Sequence, residues 1–146
     1  MAGRIVVGVD GSEASAAALR FGAEEARLRG ARLVAVHAWT FVTTPALGDP
    51  GVVPMAATTV MDDLTVERSG AERLLDEALT SALGEADVER VVSEGAAGDV
   101  IVDAAVDADL VVVGSRGRGG LRGALLGSVS SHVAQHASCP VVIVRA

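Results

Sequence analysis

Lysine is absent from this 146-residue chain, so all twelve of its basic residues are arginine. That removes nucleotide chemistries built on a lysine, since a Walker A loop needs one on the β/γ-phosphates and a protein kinase needs one on a strand. Aromatic residues make up only 2% of the chain, so its core has to be assembled from Val, Ala, Leu and Ile. The one cysteine, Cys139, can close no internal disulfide and has no neighbouring cysteine for a zinc or redox pair. It reads as a small apolar core thiol. Basic charge is outweighed, and a formal net charge of -7 disfavours partners held by their phosphates. Neither nucleic acid nor a membrane is therefore expected as a partner. No charged segment leads into a short apolar one as in a secretory leader, and no uninterrupted apolar run approaches the ~18 residues that suggest a membrane span. A soluble cytoplasmic protein is expected.

Half of the residues are hydrophobic, and at this length one core is the default, so a single domain over residues 1–146 is expected. Runs rich in Val and Ile predict strands over Arg4–Val9, Arg32–His37, Val88–Ser93, Leu110–Val113 and Val141–Val144. Helical patterns lie between them, over Ser12–Arg29 closed by Gly30, Met61–Leu83 closed by Gly84, Asp99–Asp107 and Ser128–Ala137. Strands alternating with helices give right-handed βαβ units, hence a parallel α/β sheet with helices on both faces. Ligands of such sheets bind at the carboxyl ends of the strands, where the strand order reverses. Trp39 to Thr59 carries three of the four prolines without periodicity and reads as a mobile flap after the second strand, or as plain disorder.

The densest signal runs from Leu110 to Ser131, LVVVGSRGRGGLRGALLGSVSS. An apolar strand enters Gly114, the glycines Gly117, Gly119, Gly120 and Gly123 follow, and a helical pattern resumes after Gly127. Residues without Cβ let backbone amides approach an anion, and the start of a helix already favours phosphate. Ser128 and Ser130 add hydroxyls at that start, although a plain turn with Ser128 as an N-cap fits the same residues. Arg116, Arg118 and Arg122 can pair with phosphates or stay solvated. His132 and His136, spaced i, i+4, could reach one metal, but no third ligand stands near them in the sequence and no metal site is expected.

Gly114, Gly117, Gly127 and Ser128 stand as GxxG, nine residues, then GS. This resembles the ATP-binding motif of the universal stress protein family. The likeness extends to IVVGVDGS, from Ile5 to Ser12, and to CPVVIVRA, from Cys139 to Ala146. It implies a Rossmann-like five-stranded sheet ordered 3-2-1-4-5, of the adenine nucleotide alpha hydrolase-like type, with ATP at its carboxyl edge, with or without Mg2+. By that resemblance Asp10 faces the ribose, Val9 and Gly11 border the base, and the backbone around His37 and Ala38 reads the adenine edge. Gly114, Ser115 and Gly117 lie along the ribose and phosphates, while Gly127, Ser128, Val129 and Ser130 hold the phosphate tail. Asp10 has a competing role as cap of the first helix.

Hydrolysis needs oriented water, a held metal and a positive group for developing charge. The sequence supplies few such parts, so a slow ATPase at most is expected. The family likeness implies a homodimer through Val141–Val144, whose apolar edge would otherwise stand open. A regulatory role in stress follows, in which ATP orders the Arg116–Leu126 loop for an unidentified protein partner. The competing reading is a dimeric scaffold of the same fold that binds no nucleotide.

Overall fold

The computed structural model describes residues 2–40, 56–117 and 126–146, the segment 56–63 by its backbone alone. Within it β1 (Arg4–Gly8), α1 (Glu13–Arg29), β2 (Arg32–Trp39), α2 (Ala56–Leu83) and β3 (Glu89–Glu94) alternate. They are followed by α3 (Ala97–Ala104), β4 (Leu110–Gly114), α4 (Ser128–His136) and β5 (Val141–Val144). The strands form one sheet in the order β3-β2-β1-β4-β5, every neighbouring pair parallel, as the resemblance implies.

Continuous apolar strands are explained by cover on both faces. Ile5, Val7, Leu33, Ala35 and Val112 point to the side carrying α1 and α2, where Leu19, Leu75 and Leu79 complete one cluster. Val6, Val34, Val36 and Val111 point to the side of α3 and α4, against Ile101 and Val133. The α1 segment is set by its ends. Ser12 caps it, its Oγ accepting from Ser15 N–H at 3.2 Å, and Gly30 closes it at φ 62°. The cap is thus Ser12, and Asp10 stands behind it rather than taking that role itself.

Several boundaries differ from the sequence reading. β2 runs on from His37 to Trp39 because β3 accompanies it, with Ala38 beside Ser93 and Trp39 beside Glu94. Of the loop expected over Trp39–Thr59, Trp39 therefore belongs to β2 and Ala56–Thr59 to α2, while 41–55 lie outside the described residues. No glycine or proline falls between Pro54 and Gly70, so nothing in that stretch stops the helix before Met61. The α3 helix sits earlier than expected, capped by Ala96 without a side-chain bond, which leaves Asp99 inside its first turn, where the macrodipole favours an acid.

The strand order reverses between β2 and β4 on either side of β1, so the carboxyl ends of β1 and β4 splay and leave a crevice. Gly114 closes its base. An ideal Cβ there would lie 2.7 Å from Ala14 Cβ and 2.8 Å from its carbonyl carbon, so β4 can approach α1 this closely only without a side chain. Gly114→Ala is expected to destabilise the protein by about 1–3 kcal/mol through overpacking, read as a lowered denaturant midpoint at unchanged m-value.

Candidate functional site

The crevice encloses about 540 Å³. The side formed by the ends of β1 and β2 and by α3 brings the apolar Val9, Val36, Ala97 and Ile101, and the side formed by the turn after β4 and by α4 brings Arg116–Gly117 and Gly127–Ser130. Of the residues singled out in the sequence, Val9, Asp10, His37, Ala38, Gly114, Arg116, Gly117, Gly127, Ser128, Val129 and Ser130 line it together. Gly11, at φ 82°, and Ser115, which is buried, are not on its wall. Arg118, Arg122 and the glycines between Gly117 and Leu126 lie outside the described residues.

The amide-rich end is made by α4. Its first intrahelical bond runs from Ser131 N–H to Gly127 O at 3.0 Å, so the amides of Ser128, Val129 and Ser130 precede the helical ladder. Gly127 is the N-cap, and no side chain caps this end. The positive pole of the helix is thereby left to the crevice, next to lining from three of its first-turn residues.

Ser115 holds the two backbone walls together. Its N–H donates to Val144 O at 2.8 Å, and its carbonyl accepts from Gly127 N–H at 2.7 Å and from Ser130 Oγ at 3.1 Å. Ser130, 2% exposed, also reaches Gly127 O at 3.1 Å. Its hydroxyl proton is thus engaged by carbonyls. The sequence reading assigned that hydroxyl to a ligand because intervening residues hide how near Ser115 comes.

Asp10 is fixed in the same manner. Oδ1 accepts from Ser12 N–H at 2.9 Å and from Ser12 Oγ, while its own N–H reaches Ser15 Oγ at 3.4 Å. The second oxygen lies against Gly117, where an ideal Cβ would come within 2.5 Å of it. The bare Gly117 therefore makes room for Asp10. His37, half-buried, places Nδ1 2.7 Å from Val9 O. A carbonyl can only accept, so Nδ1 carries the hydrogen of this bond.

The histidine pair of α4 serves packing. His132 Nε2 is 2.9 Å from Asp99 Oδ1, its ring stacks on that of His136 at 4.3 Å, and it fills the space left by Gly98. Among the described residues no group of three or more His, Cys, Asp or Glu side chains could hold a metal ion, and none of their helices is long and apolar enough to cross a membrane. Sequence reasoning missed Ser12, Ser15, Ala97 and Ile101 as crevice residues. The first two carried a signal in the VDGSEAS turn, but α3 reaches the site only through the fold.

Comparison with known proteins gives the same architecture a history. The model of the universal stress protein family matches residues 1–145. A universal stress protein of Mycolicibacterium smegmatis is 40% identical over 141 residues, which are 97% of this chain and 45% of that protein. The chain spans about half the length of the curated relatives it matches. Universal stress protein UspA from Lactobacillus plantarum superposes with a TM-score of 0.75 at 25% identity, over 98% of this chain and 97% of that one. A universal stress protein in complex with cAMP reaches 0.59 at 28% identity, over 99% and 97% of the two chains. That of Archaeoglobus fulgidus in complex with dAMP reaches 0.52 at 28%, over 97% and 96%.

Replacing Ser130 by alanine removes one clasp and leaves the Ser115 carbonyl bonded to Gly127. A loss of about 1 kcal/mol in unfolding free energy is expected, measured by urea denaturation followed through Trp39, the chain's one tryptophan.

Proposed function

The chain belongs to the universal stress protein family, and we propose that it is a cytoplasmic regulatory protein of stress response whose crevice holds an adenine nucleotide, ATP in particular. The observation that carries this reading is the pairing, in one crevice, of an apolar end with the uncapped start of α4. The first suits a flat base and the second a string of anionic phosphates. Two related proteins solved with cAMP and dAMP, both adenine nucleotides, support the choice of base. ATP with or without Mg2+ goes with the length of chain at the amide-rich end, from Arg116–Gly117 across to Gly127–Ser130.

Binding rather than turnover suits the residues present. Asp10 is the one carboxylate among the described crevice residues, and its Oδ1 already accepts two bonds from Ser12. No second acid accompanies it to share a metal, so hydrolysis is slow at most. The output is then a nucleotide-dependent surface read by a protein partner that prefers one state of occupancy.

A homodimer through β5 completes the proposal. β3 and β5 are the sheet edges, and β3 carries Glu89, Arg90 and Glu94, whereas β5 is Val-Val-Ile-Val with no charge to keep another strand away. Pro140 O accepts from Val111 of β4 and Val144 O from Ser115 just beyond it, so the alternate residues Val141 and Ile143 turn their backbone groups outward. A second copy running antiparallel would satisfy them.

Mass spectrometry of ligand released from freshly purified protein, followed by titration calorimetry with ATP, tests the site. Adenine nucleotide release and saturable ATP binding are expected, and silence in both leaves the dimeric scaffold. Gly117→Ala, by displacing Asp10, should weaken ATP about tenfold or more while the protein stays folded, its thermal midpoint lowered by only the few degrees that about 1 kcal/mol removes. Ile143→Pro removes an outward N–H and should turn a dimer into a monomer in sedimentation velocity.

A further inference from the structure

The end of the β1–β2 ladder is unusual, and it lies at the apolar end of the crevice. Along β2 the backbone groups turn alternately to either neighbour: Trp39 O accepts from Gly95 N–H at 2.9 Å on the β3 side, and Val36 O accepts from Val9 N–H at 2.8 Å on the β1 side. Ala38 therefore faces the β1 side, and the next rung of a parallel ladder would join its N–H to Val9 O. That rung is missing. Val9 O takes the His37 imidazole instead, at 2.7 Å, and among the described residues no hydrogen bond is made by the Ala38 amide. Val9, His37 and Ala38 all line the crevice.

From this we infer that His37 is a positioning residue which, by capping the Val9 carbonyl, stops the sheet one rung early and leaves the Ala38 peptide available to read the edge of a bound base. The inference rests on the adenine-nucleotide reading above and adds the residue that sets its selectivity. A half-buried amide without a partner gains from one, and a planar ligand entering between Val9 and Ala38 supplies it. The Ala38 N–H donates to a ring nitrogen and its carbonyl accepts from an exocyclic amine. Adenine offers that pair, whereas guanine presents an acceptor oxygen where adenine has the amine. His37 itself makes no ligand contact in this account. Its work is done through Nδ1–H on Val9 O, a bond that an asparagine amide nitrogen in the same place can reproduce.

His37→Ala and His37→Asn in the full chain test this, with ATP, GTP and inorganic tripolyphosphate as probes in titration calorimetry, and with amide hydrogen exchange at Ala38 in ligand-free protein. In the wild type the Ala38 amide should exchange rapidly. In His37→Ala the freed Val9 carbonyl should accept it, slowing its exchange and weakening ATP about tenfold. The preference for ATP over GTP should shrink in that variant while tripolyphosphate affinity stays the same. His37→Asn should restore fast exchange and ATP affinity together. Unchanged Ala38 exchange in His37→Ala, unchanged ATP affinity there, or an equal loss of tripolyphosphate overturns the positioning role. If instead the wild type binds no ATP while the Ala38 exchange pattern follows the prediction, the ladder account stands and the adenine-nucleotide reading falls.

Discussion

The Ser115 peptide is the joint on which the carboxyl edge of this sheet depends. Its amide is bound to Val144 at the end of β5, and its carbonyl is shared by Gly127 N–H and Ser130 Oγ at the start of α4. One residue thereby ties the outermost strand, the loop that leaves β4 and the helix that begins the last βαβ return. Ser115 and Ser130 are buried, where an unmade partner is expensive, so hydrogen-bond satisfaction holds the crevice walls at their spacing. Among the described residues no buried side-chain polar atom lacks a partner, and the three buried polar side chains, Ser15, Ser115 and Ser130, all belong to this edge.

The same logic governs what the site can offer. Side chains that look like ligand groups in the sequence are engaged in holding one another: Asp10 with Ser12, Ser15 with the α1 cap, Ser130 with Ser115, His37 with Val9. The main-chain amides outside any ladder lie at the first turn of α4 and at the end of β2. Backbone donors held rigidly at a helix start favour an anion without moving. The neighbouring edge strand β5 shares the anchor of this site through Ser115.

Much of the fold was legible because its signals are local or periodic. Val-rich runs bounded by glycine marked the strands, the Ala-rich stretch after Ser12 marked α1, and Gly30 and Gly84 adopt the positive φ expected of helix ends. The GxxG and GS residues were legible as parts of one site because the strand before them and the helix after them bracket a single βα turn. The roles within the site were harder to read. Gly114 reads as a phosphate glycine, yet its missing Cβ accommodates Ala14 of α1, far away in the chain. Gly117 likewise makes room for Asp10.

The sequence by itself determined the layering, since apolar runs too continuous for a one-sided strand require helices on both faces and βαβ connections require parallel neighbours. It also determined which turn carries the glycines and which strand lacks charge. Only the tertiary structure decided which lone pair meets which hydrogen: that Ser130 turns to Ser115, His37 to Val9 and His132 to Asp99. Patterning encodes burial and backbone freedom along the chain, whereas these pairings join residues that the sheet brings together at its carboxyl edge, and their geometry exists only once the sheet has formed.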